Sequence, residues 1–91
     1  GAQAQENRLK YMEEHLAYID NILDKVLIAG PIFADDAKTV KGSLLVYKTD
    51  DKDLARSYLE ADPYYNADIW QDISIEIFRG ALGDAVGGKA Y

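Results

Sequence analysis

The chain has 91 residues, enough for one domain and too few for two. A formal net charge of −6 disfavours nucleic acid and anionic membrane surfaces as partners. The absence of cysteine excludes disulfides, thiol nucleophiles and Cys-type zinc sites.

Hydrophobic residues make up 48% of the chain, a normal globular content. A domain this short buries only about 60–65% of its unfolded surface, so pairing with a second copy would add useful burial. No apolar run approaches the ~20 residues that span a bilayer, and no signal peptide is visible. These features, with the lack of cysteine, lead us to expect a cytoplasmic protein. The start, Gly1-Ala2-Gln3-Ala4-Gln5, is polar and lacks an initiator Met, which suggests a native start further upstream.

Leu9, Met12, Leu16, Ile19, Leu23 and Val26 recur at spacings of three and four. That period predicts a helix from about residue 3 to residue 24. Val26-Leu27-Ile28-Ala29-Gly30-Pro31-Ile32-Phe33 then reads as a strand; Pro31 ends it or puts it on an edge. A polar connection holding Asp35-Asp36 leads to a second strand from Gly42 to Lys48, so an antiparallel hairpin is expected. Thr49-Asp50-Asp51 offers caps for a helix whose buried face is Leu54, Ala55, Tyr58 and Leu59. Asp62-Pro63 starts a short further turn of helix. Ile73, Ile75 and Ile77 alternate with Ser74 and Glu76, predicting a half-buried last strand that ends at Phe78. The segment 81–91, rich in Gly, is expected to wander over the surface or reach a neighbouring subunit. The order α-β-β-α-β becomes the split βαβ plan if one strand is added in front.

Arg8 with His15-Leu16-Ala17-Tyr18, Ala29-Gly30-Pro31, Asp36, Gly42-Ser43 and Ala61-Asp62-Pro63-Tyr64 fall in an order and spacing that resemble the YciI-like (YCII-related) family. The resemblance covers residues 1–80. It implies an α+β, ferredoxin-like fold with an antiparallel sheet, assembled as a dimeric α/β barrel or a higher homo-oligomer. In the family a hydrophobic strand precedes the first helix. Here it is absent; its loss would open a gap of unpaired backbone groups inside the sheet, so a strand is expected to be missing from this chain or supplied by another chain. A second departure is Met12, where many relatives carry an arginine.

The resemblance also implies an acid–base centre: His15 on the first helix and Asp36 in the hairpin loop. One branch of the family removes chloride from a chlorinated hydroxyhydroquinone. His15 lies seven residues after Arg8 and seven before Ile22, so the three align along one helix edge, about 10 Å per step. An unperturbed imidazole titrates near pH 6.5 and can give or take a proton at neutral pH. A carboxylate on its other ring nitrogen would fix the tautomer; without one, His15 is a boundary side chain with an ordinary hydrogen bond. Arg8 and Ser43 are candidate substrate-binding groups, or a plain surface charge and a satisfied strand end. Asp62 and Tyr64 either line the pocket mouth or simply cap and turn the chain. Trp70 reads as packing. One His and no Cys leave no expected metal site, and the glycines of the tail lack a phosphate-loop ending.

Two functions follow. One is a small enzyme, free of cofactors, that uses His15 and Asp36 on a small hydroxylated or chlorinated aromatic as a lyase, dehydrochlorinase or isomerase. The other is a non-catalytic module for small-ligand binding or assembly. His15 at the base of a cleft favours the first; His15 on open surface, or sealed without a pocket, favours the second.

Overall fold

The computed structural model describes residues 2–91, with side chains from Glu6 onward; Gly1 lies outside the described residues. Helix α1 spans Ala2–Asn21 and ends in a single 3-10 turn, Leu23–Lys25. Strands β1 (Val26–Phe33) and β2 (Val40–Tyr47) form an antiparallel hairpin, as the apolar runs predict. Helix α2 (Lys52–Glu60) starts at Asp51, whose carboxylate accepts from Asp53 N at 2.9 Å and Leu54 N at 3.2 Å. The short helix α3 (Pro63–Asn66) has Asp62 as its cap and Pro63 in its first turn.

The register pairs Ile28 with Val46, Gly30 with Leu44 and Pro31 with Ser43. Alternation therefore puts Ser43, Leu45 and Tyr47 on the face towards the helices, and Ile28, Ile32, Leu44 and Val46 on the other. The core is small: Val26, Ala55, Leu59, Tyr64 and Ile69, with Asp62 completely buried beside them.

Three features differ from the sequence expectations. First, the apolar stripe of α1 stays open, with Leu9 74% and Leu16 53% exposed. The half-buried edge of that helix is instead Arg8, Tyr11, His15 and Tyr18, joined from the stripe by Ile19, because α1 packs on α3 rather than across the sheet. Second, residues 73–78 form no ladder, although Ile73 and Ile75 are half-buried as their alternation requires. Alternation prepares a strand, but a neighbouring edge must complete it. Third, the tail folds back as a small hairpin, β3 (Leu82–Gly83) with β4 (Gly88–Lys89), around a 3-10 turn at Asp84–Val86. Gly83, Gly87 and Gly88 have φ of 119°, 75° and 106°, a region in which side chains are strained.

β2 pairs with β1 along one edge only. Between its other edge and the extended segment from Trp70 to Phe78 runs an open hollow of about 1140 Å³. Arg8 from α1 and Ala55 and Leu59 from α2 also line it. The accessible surface is 6832 Å², against roughly 5300 Å² for a compact monomer of this mass. The Cα radius of gyration is 14.4 Å, against about 12 Å for a compact chain of this length. Among the described residues, no helix is long and apolar enough to cross a membrane.

Candidate active site

His15 is held on three sides. Its Nδ1 lies 2.8 Å from Oδ1 and 2.9 Å from Oδ2 of Asp62. Its ring stacks on Tyr64, with centroids 3.9 Å apart and planes 3° from parallel. Trp70 closes a third side edge-on, at 6.1 Å. Among the described residues, no hydrogen bond from Nε2 is found. Because the carboxylate accepts at Nδ1, the imidazole is oriented with Nε2 as the nitrogen able to exchange a proton.

Local chemistry explains why Asp62 is available. As the cap of α3 it must accept a backbone N–H, and its Oδ1 takes that of Tyr64 at 2.9 Å. Capping uses part of one oxygen, and the rest of the carboxylate faces α1. The side chain is 0% exposed, so it depends on these partners. Tyr64 continues the link: its hydroxyl donates to the Arg8 carbonyl at 2.9 Å while its ring supports His15.

Two turns back along α1, Arg8 Nη1 donates to Ser43 Oγ at 3.3 Å, and Trp70 Nε1 donates to the same oxygen at 3.2 Å. Arg8 also sits over the Tyr64 ring, 5.7 Å from its centroid. Arg8 Nε and the Tyr47 hydroxyl are buried without hydrogen-bond partners among the described residues. Arg8, Ser43 and Trp70 line the slot beside β2, whereas His15 does not. His15, 17% exposed and off that hollow, therefore does not sit at the base of the cleft that the catalytic reading expects.

Tyrosines surround the buried carboxylate. Tyr18 donates to the Tyr58 carbonyl at 2.6 Å, and burial, then the Asp62 charge, raises its pKa. The same two causes raise that of Tyr47. Burial also raises that of Tyr64, with Arg8 opposing it. All three hydroxyls therefore stay protonated at neutral pH. Those of Tyr18 and Tyr64 act as donors, and all three are poor candidates for a base.

The structure corrects the expected His15–Asp36 pair. Asp36 accepts from Lys38 N and Thr39 N, both at 2.9 Å, and from Thr39 Oγ1 at 2.6 Å, in the exposed loop before β2. Its carboxylate is consumed in forming that turn, so Asp62 is the acid that meets His15. Tyr64 is 4% exposed and supports His15 from inside, so it does not form a pocket mouth. Arg8 and Ser43 do come together. Trp70, read from sequence as packing, carries a polar contact as well. Only its indole N–H hinted at this, since buried tryptophans usually find an acceptor.

The Thr39 hydroxyl, then the N–H groups of Thr39 and Lys38, hold the Asp36 carboxyl down at about 2, from 3.8. A lowered folded-state pKa means stability present above pH 3.8 and lost as pH falls towards 2. Thr39→Val is expected to raise the Asp36 pKa towards its ordinary value, read from its carboxyl carbon by NMR titration. An unmoved titration would show that the hydroxyl bond does not hold the group.

The family model of the YCII-related domain matches residues 1–79. Protein YciI of Escherichia coli O6:H1 is 29% identical over 86% of this chain and 87% of its own. Protein YciI of Shigella flexneri has the same identity and coverage. Among solved structures, the chain resembles a 5-chloro-2-hydroxyhydroquinone dehydrochlorinase from Burkholderia phenoliruptrix AC1100 in complex with 2,5-dihydroxybenzoquinone. That match has a TM-score of 0.66 at 27% identity and covers 86% of this chain and 82% of the other. With its α+β, ferredoxin-like architecture, the chain belongs to the YCII-related domain family.

Proposed function

We propose that this protein is a small acid–base enzyme in which His15, oriented by Asp62, moves protons on a hydroxylated aromatic ring, with loss of chloride from a chlorinated ring as the reaction. The observation that carries this reading is the 2.8 Å contact between His15 Nδ1 and the wholly buried Asp62, which leaves Nε2 free of internal bonds. The similarity to a dehydrochlorinase supports the reaction class. Removal of HCl from a chlorinated hydroxyhydroquinone needs one hydroxyl proton moved to the carbon bearing chlorine. A second hydroxyl proton is then taken as chloride leaves, and a hydroxyquinone remains. Both steps are proton transfers, suited to one imidazole that accepts and returns a proton. Arg8, two turns away along α1, and Ser43 are the groups we assign to the ring oxygens.

Chloride release from 5-chloro-2-hydroxyhydroquinone, followed with a chloride electrode, tests the proposal directly. Turnover by the wild-type chain that disappears in His15→Gln supports it. Binding of 2,5-dihydroxybenzoquinone with no turnover would favour the non-catalytic ligand-binding alternative.

We further propose that two copies pair through the outer sheet face. Ile28, Ile32 and Leu44 are 62%, 42% and 57% exposed there. The excess surface of the single chain over a compact monomer, roughly 1500 Å², exceeds the ~800 Å² that each partner buries in a standard interface. Sedimentation at micromolar concentration is expected to give a dimer, and Leu44→Lys on that face a shift to monomer. A wild-type monomer under those conditions would remove the pairing.

A further inference from the structure

Helix α1 carries two open rows that share a seven-residue step. Leu9, Leu16 and Leu23 form the first, the last of them in the 3-10 turn that follows the helix. They are 74%, 53% and 59% exposed, and Met12 beside them is 40% exposed. Glu6, Glu13 and Asp20 form the second row, all on open surface. Each acid lies three or four residues from the leucines next to it, so the rows run side by side at about 10 Å per step. Arg8 and His15 lie on the other side of the leucines and are half-buried.

The acidic row is uncompensated. Among the described residues, none of its three carboxylates is in an ion pair. Lys10 follows Glu6 by four residues and precedes Glu13 by three, yet its ammonium sits over the Tyr11 ring, 5.3 Å from the centroid. Open leucines at this spacing are the anchors on which one amphipathic helix seats another. Charge then selects the kind of helix. A second copy laid antiparallel on the same rows would bring acid against acid, in a chain of net charge −6. Laid parallel, it would set its acids against Arg8 and His15, which are already engaged with Ser43 and Asp62. An anionic bilayer would be repelled by the acidic row. The pairing proposed above uses the opposite face of the sheet, so α1 stays open in a dimer.

We infer that the open face of α1 is a docking surface for a cationic amphipathic helix of another protein. Its apolar row seats on Leu9, Leu16 and Leu23, and its lysines or arginines lie along Glu6, Glu13 and Asp20. Apolar contact supplies the affinity, and the row of charge fixes the partner and its register. The surface is separate from the proton chemistry of His15 and stands without it.

The probe is a peptide of about 14 residues, built of leucine and lysine with the leucines at the helical period. Its counterpart carries glutamate at every lysine. Fluorescence anisotropy of the labelled peptides, titrated with the wild-type chain, is expected to show the lysine form bound about tenfold tighter or more. Leu9→Ser with Leu16→Ser should weaken that binding about tenfold. Glu13→Lys with Asp20→Lys should reverse the preference between the peptides. Asp35→Lys with Asp84→Lys changes the net charge equally at exposed positions off the helix, and should leave the preference in place.

Equal binding of the two peptides, or binding of neither, would overturn the docking surface. So would a preference that Asp35→Lys with Asp84→Lys removes as fully as Glu13→Lys with Asp20→Lys, since total charge alone would then explain it. Sedimentation that shows the leucine variant in a smaller assembly than wild type would assign the face to a second copy instead. Binding to phosphatidylserine vesicles that the leucine variant loses would assign it to a membrane. If the leucine variant does not fold, as read by its melting temperature, the two charge variants decide the outcome.

Discussion

Asp62→Asn is expected to leave a folded protein that has lost its chemistry, whereas Asp62→Ala is expected to lose the fold as well. The carboxylate has two jobs, and the two substitutions separate them. Its Oδ1 caps α3 through Tyr64 N, and both oxygens receive His15 Nδ1. Alanine removes the cap, at a cost of about 1 kcal/mol. It also leaves the largely buried imidazole N–H without its acceptor, for about 1–3 kcal/mol more. A total of about 2–4 kcal/mol would lower the melting temperature of a domain this size by more than ~10 °C.

Asparagine can still cap with its carbonyl oxygen. It cannot accept at both positions, and an amide N–H turned towards His15 would favour the opposite tautomer. The proton would then move to Nε2, the nitrogen that has to receive one. Turnover should fall by a factor of about 10²–10⁴, the usual worth of a correctly set general base, while the melting temperature moves by only a few degrees. Chloride release and calorimetric melting of the two variants check both halves. Full activity in Asp62→Asn would mean that the carboxylate serves α3 alone. Asp36→Asn is the control: its carboxylate is committed to Thr39 and Lys38, so turnover should be unchanged.

His15 carries the second large effect, and the choice of replacement matters. Alanine would leave Asp62, 0% exposed, with a single backbone N–H as its partner. Removing one member of a buried ionic pair costs about 3–5 kcal/mol. For a chain with so small a core, that loss would be hard to distinguish from loss of function. Glutamine can present an N–H to Asp62 and lie against the Tyr64 ring, but it cannot take up a proton. His15→Gln is thus expected to melt within several degrees of wild type and to lose about 10²–10⁴ in turnover. Binding of 2,5-dihydroxybenzoquinone should survive, because the Arg8–Ser43 contact is untouched. Retained turnover in His15→Gln would refute the assignment of His15 as the proton carrier. Loss of binding together with turnover would point to a role in holding the ring.

Local physics made much of the chain legible. The hairpin could be read from two β-branched runs, α2 from the Asp51 cap, and α3 from Asp62-Pro63, because each depends on residues only a few positions apart. His15 and Arg8 could be placed on one edge of α1 for the same reason. The partner of His15 could not. Asp36 and Asp62 are both acids in polar connections, and from sequence they are equivalent. What separates them is use: the Asp36 carboxylate closes its own turn with Thr39, whereas Asp62 is buried where α3 crosses α1, 47 residues from His15.

The last strand shows the same limit from the other side. Ile73, Ile75 and Ile77 have the right alternation, but a strand needs a second edge, and the neighbouring edge of β2 lies across an open slot. The apolar stripe of α1 likewise marks a face that must be covered without saying what covers it. Sequence alone thus determined which residues form each element and which side of it is apolar. Tertiary structure decided which carboxylate meets the imidazole and which donors converge on Ser43, because those contacts join residues that the chain keeps far apart until it folds.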